Sequence, residues 1–202
     1  MKNFFSRPTT FVAAAAIAFS FTACEQSDIS PDADFSAQNA QAAHQSKSFN
    51  LNKVYTVNLN ELNNSGVSGT ATLTLMGDKL EVHIQASGLE PNKLHPQHIH
   101  GFVENNRNAT CPDMSSDMDG DGLIELAEGL PSYGPVLLSL TPFPTAPDGT
   151  IDYKQTFDMT ADLRPLQNRV IVLHGMTVDG EYLATLPVAC GMVMNANNGK
   201  KK

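Results

Sequence analysis

From Phe49 onward, apolar and polar residues alternate along much of the chain. Val54-Tyr55-Thr56-Val57-Asn58-Leu59, Thr70-Ala71-Thr72-Leu73-Thr74-Leu75 and Leu80-Glu81-Val82-His83-Ile84-Gln85-Ala86 repeat every second residue and are rich in β-branched side chains. That is the pattern of half-buried strands. Gly77-Asp78 separates the second run from the third and predicts a hairpin. Further strands are expected at His98–Val103, Ile151–Phe157, Val170–His174 and Val188–Val193. No segment holds a 3.6-residue period over three turns. Seven or eight short strands in roughly 150 residues predict an all-β fold, an antiparallel sandwich or barrel of about eight strands around one core. His83 shares its face with Glu81 and Gln85, which predicts a surface residue rather than a ligand.

The amino terminus differs in kind. Residues 1–23 join a basic start (Lys2, Arg7) to an apolar run from Phe11 to Phe21, short for a membrane span and suited to a signal peptide. Phe21-Thr22-Ala23-Cys24 resembles a bacterial lipoprotein cleavage site, which would make Cys24 the lipidated first residue; ordinary secretory cleavage is the alternative. Either route exports the protein, to a lipid-anchored position in a bacterial cell envelope (periplasmic face or cell surface) or to the exterior. Residues 24–48, rich in Ser, Gln, Ala and Asp, are expected to be a tether. The domain is expected over 49–197, with a basic tail at 198–202.

Charge and cysteine content narrow the partners. The whole chain has a formal charge of −8, and loss of Lys2 and Arg7 with the signal leaves −10. Such a surface argues against nucleic acid, and leaves the lipid anchor as the only membrane contact. With Cys24 lipidated, Cys111 and Cys190 remain, and an oxidising compartment favours a disulfide between them over two buried thiols.

Two patterns carry chemistry. His98 and His100 lie two apart on an expected strand, so their imidazoles share a face, and His174 ends another strand. Were the fold to bring these strands together, three nitrogen donors would converge in a set that can hold one transition metal. The second pattern is Asp117-Met118-Asp119-Gly120-Asp121-Gly122-Leu123-Ile124-Glu125-Leu126-Ala127-Glu128. It matches an EF-hand calcium loop, with Asp117, Asp119 and Asp121 at positions 1, 3 and 5. Gly122 takes position 6, the Leu123 carbonyl 7, Glu125 9 and Glu128 12. Cys111-Pro112 upstream and Gly129-Leu130-Pro131 downstream depart from a paired EF-hand, and Pro131 is expected to end any exiting helix.

The order of these elements resembles the copper/zinc superoxide dismutase family over roughly residues 50–194. Gly88-Leu89-Glu90-Pro91 followed by His95-Pro96-Gln97-His98-Ile99-His100 is similar to the family's Gly-Leu-x-Pro…His-x-x-His-x-His segment. Val170-Ile171-Val172-Leu173-His174 resembles the strand of the last copper ligand, and Ala189-Cys190-Gly191 the surroundings of the second disulfide cysteine. The resemblance implies an eight-stranded Greek-key barrel, His98, His100 and His174 as copper ligands, and Cys111–Cys190 as the family disulfide. It implies that His95 is a nearby histidine and not a ligand.

The sequence also departs from that family. No His lies between His100 and His174, so the bridging His and the zinc site are missing and no zinc is expected. Pro187 stands where the family's active-site Arg would be, and the connection from His174 to Cys190 is shorter than the family's usual loop. No catalytic residue is assigned. A second resemblance, to chordin-type (CHRD) domains, rests on His98-Ile99-His100-Gly101. Two readings follow. One is an exported copper protein with superoxide chemistry and a calcium-binding loop. The other is a non-enzymatic CHRD-like or calcium-stabilised structural or adhesive envelope module.

Overall fold

In the computed structural model, residues 52–104 and 107–196 are described. The expected signal peptide, Cys24, the tether and the basic tail lie outside them. The alternating runs form strands β1 (Lys53–Glu61), β2 (Ser68–Met76) and β3 (Lys79–Ser87). They are followed by β4 (Gln97–His100), β5 (Val136–Ser139), β6 (Thr150–Asp158), β7 (Val170–Val178), β8 (Glu181–Met192) and β9 (Met194–Asn195). One helix, α1 (Leu126–Tyr133), lies between β4 and β5. The strand order is β5-β4-β7-β8-β1-β2-β3-β6, with β9 also on β1, and all the pairings are antiparallel. The fold is therefore all-β and antiparallel, as the alternation predicts, with the Greek-key crossovers that the resemblance implies.

One core cluster joins Val57, Leu73, Val82 and Ile84 from one half of the strand order to Ile99, Leu140, Ile171, Leu173 and Val188 from the other. The sheet must therefore curl so that its inner face packs on itself. Hairpin chemistry fixes the register at two places. Gly77, at φ 65, begins the two-residue turn between β2 and β3, the type II′ position that favours glycine. Asp179 and Gly180, at φ 51 and 86, form a type I′ turn between β7 and β8. The connection from His174 to Cys190 is thus a tight hairpin, and the strand expected over Val188–Val193 begins earlier, at Glu181, and ends at Met192.

Two more expectations need correction. The strand expected over His98–Val103 stops at His100. A side chain at Gly101 would meet Arg169 Cδ at 2.4 Å, and the Gly101 carbonyl lies against Gly134. A helix exists, and Pro131 lies inside it rather than ending it. With eight residues, α1 is too short for a three-turn period. Proline leaves the carbonyl four residues back without a helical donor, yet only two residues follow before Gly134, at φ 79, closes the helix with an N–H bond to the Leu130 carbonyl at 2.8 Å.

β4, β7 and β8 are covered on both faces. The outer face packs Val170, Val172 and Cys190 against Leu62, Ala109 and Tyr133, with Phe102 and Cys111 beside them. The Cys111–Cys190 disulfide, Cα–Cα 5.7 Å, ties the covering segment to β8. Asn63 fastens it a second time. Its side-chain amide donates to the carbonyls of Ile124 and Pro187 at 3.0 and 2.9 Å and accepts from the Ile124 N–H at 2.8 Å.

Removing either tie should destabilise the domain measurably. A crosslink spanning 79 residues is worth about 4–5 kcal/mol in the chain-entropy model, so Cys111→Ser with Cys190→Ser should lower the urea midpoint by a corresponding margin. Asn63→Asp keeps the acceptor and loses both donations, leaving two buried carbonyls unpaired at a cost of about 2–3 kcal/mol. An unchanged midpoint would show that the covering segment does not depend on that residue.

Candidate metal centres

Strand periodicity puts His98 and His100 on the outer face of β4, while Gln97 and Ile99 point inward and are fully buried. His98 is registered against Val172 of β7, and His174 lies two residues further along β7 on the same face. Such diagonal neighbours are within reach of long side chains. A register irregularity at His174, beside Gly175 at φ 107, helps to direct the third imidazole. The ligand atoms of His98, His100 and His174 all lie within 4.8 Å of one another. Ring centroids are separated by 5.2 Å (His98–His174), 5.6 Å (His98–His100) and 5.8 Å (His100–His174).

Each imidazole leaves one nitrogen free towards the others. His100 Nδ1–H donates to the Gly134 carbonyl and His174 Nδ1–H to the Thr185 carbonyl, both at 2.9 Å. These bonds fix the tautomer and leave Nε2 of both rings as lone-pair donors. His100 Nε2, His174 Nε2 and His98 Nδ1 are buried and have no hydrogen-bond partner. Burial, reinforced by the neighbouring His100, holds the His98 pKa down at about 4. Burial takes His174 to about 3 and lowers His100 as well. At neutral pH the cluster is therefore uncharged, the state in which imidazole binds metal. Three orphaned nitrogens facing one another fit a transition metal and satisfy no other partner in the structure.

The surroundings hold the rings in place. Tyr133 packs edge-on to His100 at 4.8 Å, and Phe143 packs edge-on to His98 at 5.3 Å. Burial pushes the Tyr133 hydroxyl up to about 12, and it donates to the Leu126 carbonyl at 3.2 Å. His95 is buried next to the site, with its ring nitrogens at 3.1 Å from the His174 carbonyl and 2.9 Å from that of Glu90. It therefore braces the ligand strand from behind and is not one of the three. His83 lies apart on the opposite half of the sheet, 2.6 Å from Asp152.

The acidic loop forms a second cluster. Asp117, Asp119 and Glu128 bring carboxylate oxygens within 4.8 Å of one another, as do Asp119, Asp121 and Glu125, so Asp119 belongs to both groups. Asp117 accepts from the Gly120 and Gly122 N–H groups at 2.7 and 2.9 Å. Asp119 accepts from Asp121, and Asp121 from Leu123. Glu128 reaches back to accept from Met118 at 2.7 Å. The Glu125 carboxyl, hydrogen-bonded to that of Glu128, is pushed up to about 7. Among the described residues no α-helix enters the loop; a 3-10 turn, Met114–Ser116, capped by Asp113, precedes it.

Sequence reasoning missed the residues that orient and enclose the histidines. The two orienting groups are backbone carbonyls, at Gly134 and Thr185, and carbonyls leave no trace in residue identity. Leu126, Val136 and Phe143 line the pocket in front of the cluster, yet they come from three separate segments. Asn63 had a faint signal, since Asn63-Asn64-Ser65-Gly66 is turn-forming composition.

No protein-family model and no curated relative matches this sequence. Among solved structures, Candida albicans superoxide dismutase 5 in its Cu(II) form is similar at 12% identity and a TM-score of 0.42, over 75% of this chain and 97% of that one. A superoxide dismutase-like protein from Bacillus subtilis is similar at 15% identity and a TM-score of 0.40, over 68% of this chain and 96% of that one.

The lowered histidine pKa values set an acid dependence for the metal-free protein. Above the ordinary value of 6.5, His98 and His174 are neutral whether the chain is folded or not. Below it the unfolded chain takes up protons that the folded chain refuses until about 4 for His98 and about 3 for His174, so stability must fall with pH. Urea midpoints measured between pH 7.5 and 5 should decline, and His98→Ala with His174→Ala should flatten the decline.

Proposed function

We propose that this chain is an exported, lipid-anchored metal-binding protein of the superoxide dismutase-like type. Copper would be held by His98 Nδ1, His100 Nε2 and His174 Nε2. The observation that carries this reading is the set of three buried imidazole nitrogens, mutually within 4.8 Å and lacking any other partner. Soft-to-borderline nitrogen donors in a threefold set suit copper better than calcium or magnesium. Copper bound there would supply one-electron chemistry towards superoxide. The chain's own residues fix the tautomers through the Gly134 and Thr185 carbonyls and keep bulk water from two of the three rings. The Cys111–Cys190 disulfide fits the oxidising compartment that export implies.

Two observations favour copper holding over rapid turnover. No Lys or Arg lines the pocket, and Pro187 occupies the position of the family's active-site Arg. A superoxide anion would therefore enter without a fixed cation to steer it.

The second reading is a calcium-stabilised envelope module, and it rests on the carboxylate groups at 117–128. Five carboxylates gathered on one short loop repel one another unless a cation sits among them, and the turn places backbone N–H groups to hold them in position. The ligands would be Asp117, Asp119, Asp121, the Leu123 carbonyl, Glu125 and Glu128, in the pattern of hard oxygen donors that calcium takes.

Metal analysis after dialysis should find one copper per chain, lost in His98→Ala and in His174→Ala; retention in both variants would end the copper reading. Superoxide consumption that appears with copper and disappears in His98→Ala would select the enzyme. Stoichiometric copper without it would select the binding protein. Millimolar calcium should raise Tm, by an amount equivalent to about 1.4 kcal/mol at tenfold excess over Kd, and Asp117→Ala with Glu128→Ala should abolish the rise.

A further inference from the structure

In front of the three histidines lies a cavity of about 300 Å³, enough for roughly ten water molecules at their liquid share of volume. Its walls are Pro96, Leu126, Val136, Phe143 and Ala184, with Thr185 providing the one hydroxyl side chain and the three imidazoles forming the floor. Leu126 and Val136 are 41% and 45% exposed, so two large apolar side chains stand in solvent at this site. Phe143 presents its ring edge-on to His98. Among the described residues, no charged side chain lines the cavity.

This composition favours one class of ligand. An anion leaving water for such a cavity would lose its hydration and find no cationic partner on the wall. A neutral molecule with one lone-pair nitrogen on a flat hydrocarbon body loses little, and its body removes apolar wall from water. Resting on the copper reading, we propose that the site accepts a neutral nitrogen heteroaromatic of one or two rings. Its donor atom would lie at the metal and its body between Phe143, Leu126 and Val136. Without metal, an azole N–H meets the same unpartnered imidazole nitrogens as hydrogen-bond acceptors. The inference concerns the walls of the pocket, so it makes a prediction that metal binding alone does not.

The test uses the full chain at pH 8 with imidazole, 4-phenylimidazole and azide. On the copper-loaded protein, binding is read from the visible and electron paramagnetic resonance spectra of the cupric ion. Its positive charge by itself favours azide, which makes azide the opposing control. The expected order is 4-phenylimidazole tighter than imidazole by at least about tenfold, with azide weakest. Phe143→Ala and Val136→Asp should each lower 4-phenylimidazole affinity by more than they lower that of imidazole, so that the advantage of the phenyl group is lost, with far-ultraviolet circular dichroism confirming that both variants fold. Equal affinities for the two azoles, or azide binding tightest, would overturn the proposal.

Calorimetry of 4-phenylimidazole on the metal-free protein separates the two readings. If metal analysis finds no copper retained, the copper reading fails, and the pocket proposal stands only if 4-phenylimidazole still binds and Phe143→Ala abolishes it. No binding to a protein that also holds no copper overturns both.

Discussion

The second face of β7 is the constraint on which the rest of this structure depends. Val170, Val172 and His174 point away from the main core, and they are buried only because the segment after β4 is laid over them and pinned by Cys111–Cys190. A strand covered on both faces must be apolar at every position or satisfy each polar group locally. β7 meets this condition over its four aliphatic residues and departs from it at one atom: His174 has Nδ1 on a carbonyl, while Nε2, turned to its fellow histidines, is left without a hydrogen-bond partner. The same burial that packs the strand keeps the imidazoles neutral. Core packing and ligand chemistry here arise from one desolvated surface.

Asn63 shows how the covering layer is registered to the sheet. It sits just past β1 at φ 57, a backbone conformation that asparagine tolerates better than most residues. From there one amide spans three backbone groups, two on Ile124 and one on Pro187. Ile124 is the apolar residue at position 8 of the acidic loop. In paired EF-hands a neighbouring loop would be expected to meet that backbone; in this chain a side chain from the barrel meets it instead. Pro187 is registered opposite His174 in β8, and its carbonyl is used for this tie.

Legibility in the sequence followed the physics of each element. β1, β2, β3 and β6 alternate because one face meets the core and the other meets water, so their pattern is visible at a glance. β7 is visible as an unbroken apolar run. β5, with four residues and no alternation, gives no signal, and the first half of β8 is marked only by the Asp179-Gly180 turn before it, since residues 181–185 are exposed or half-buried. α1 falls below the length at which a 3.6-residue period can be recognised. The three histidines were legible because a period of two fixes their face. Their partners were not, since Gly134 and Thr185 act through carbonyls, and Leu126, Val136 and Phe143 converge only once the chain is folded.

α1 joins the two candidate centres, and its polarity suits both ends. Its amino terminus carries N–H groups without intrahelical partners and a partial positive charge, and there Glu125 and Glu128 form a capping box, with Glu128 accepting from the Glu125 N–H at 3.1 Å. Its carboxyl terminus carries the opposite partial charge, and there the Gly134 carbonyl accepts a hydrogen bond from His100 Nδ1–H. Between the ends, Leu126 forms a wall of the pocket and Tyr133 packs against His100. A proline inside so short a helix weakens its own hydrogen bonding, so its position rests on contacts rather than on helical propensity. Those contacts are the buried Tyr133 at one end and the acidic loop at the other. A shift of the helix along its axis would therefore disturb the carboxylate groups and the His100 tautomer together.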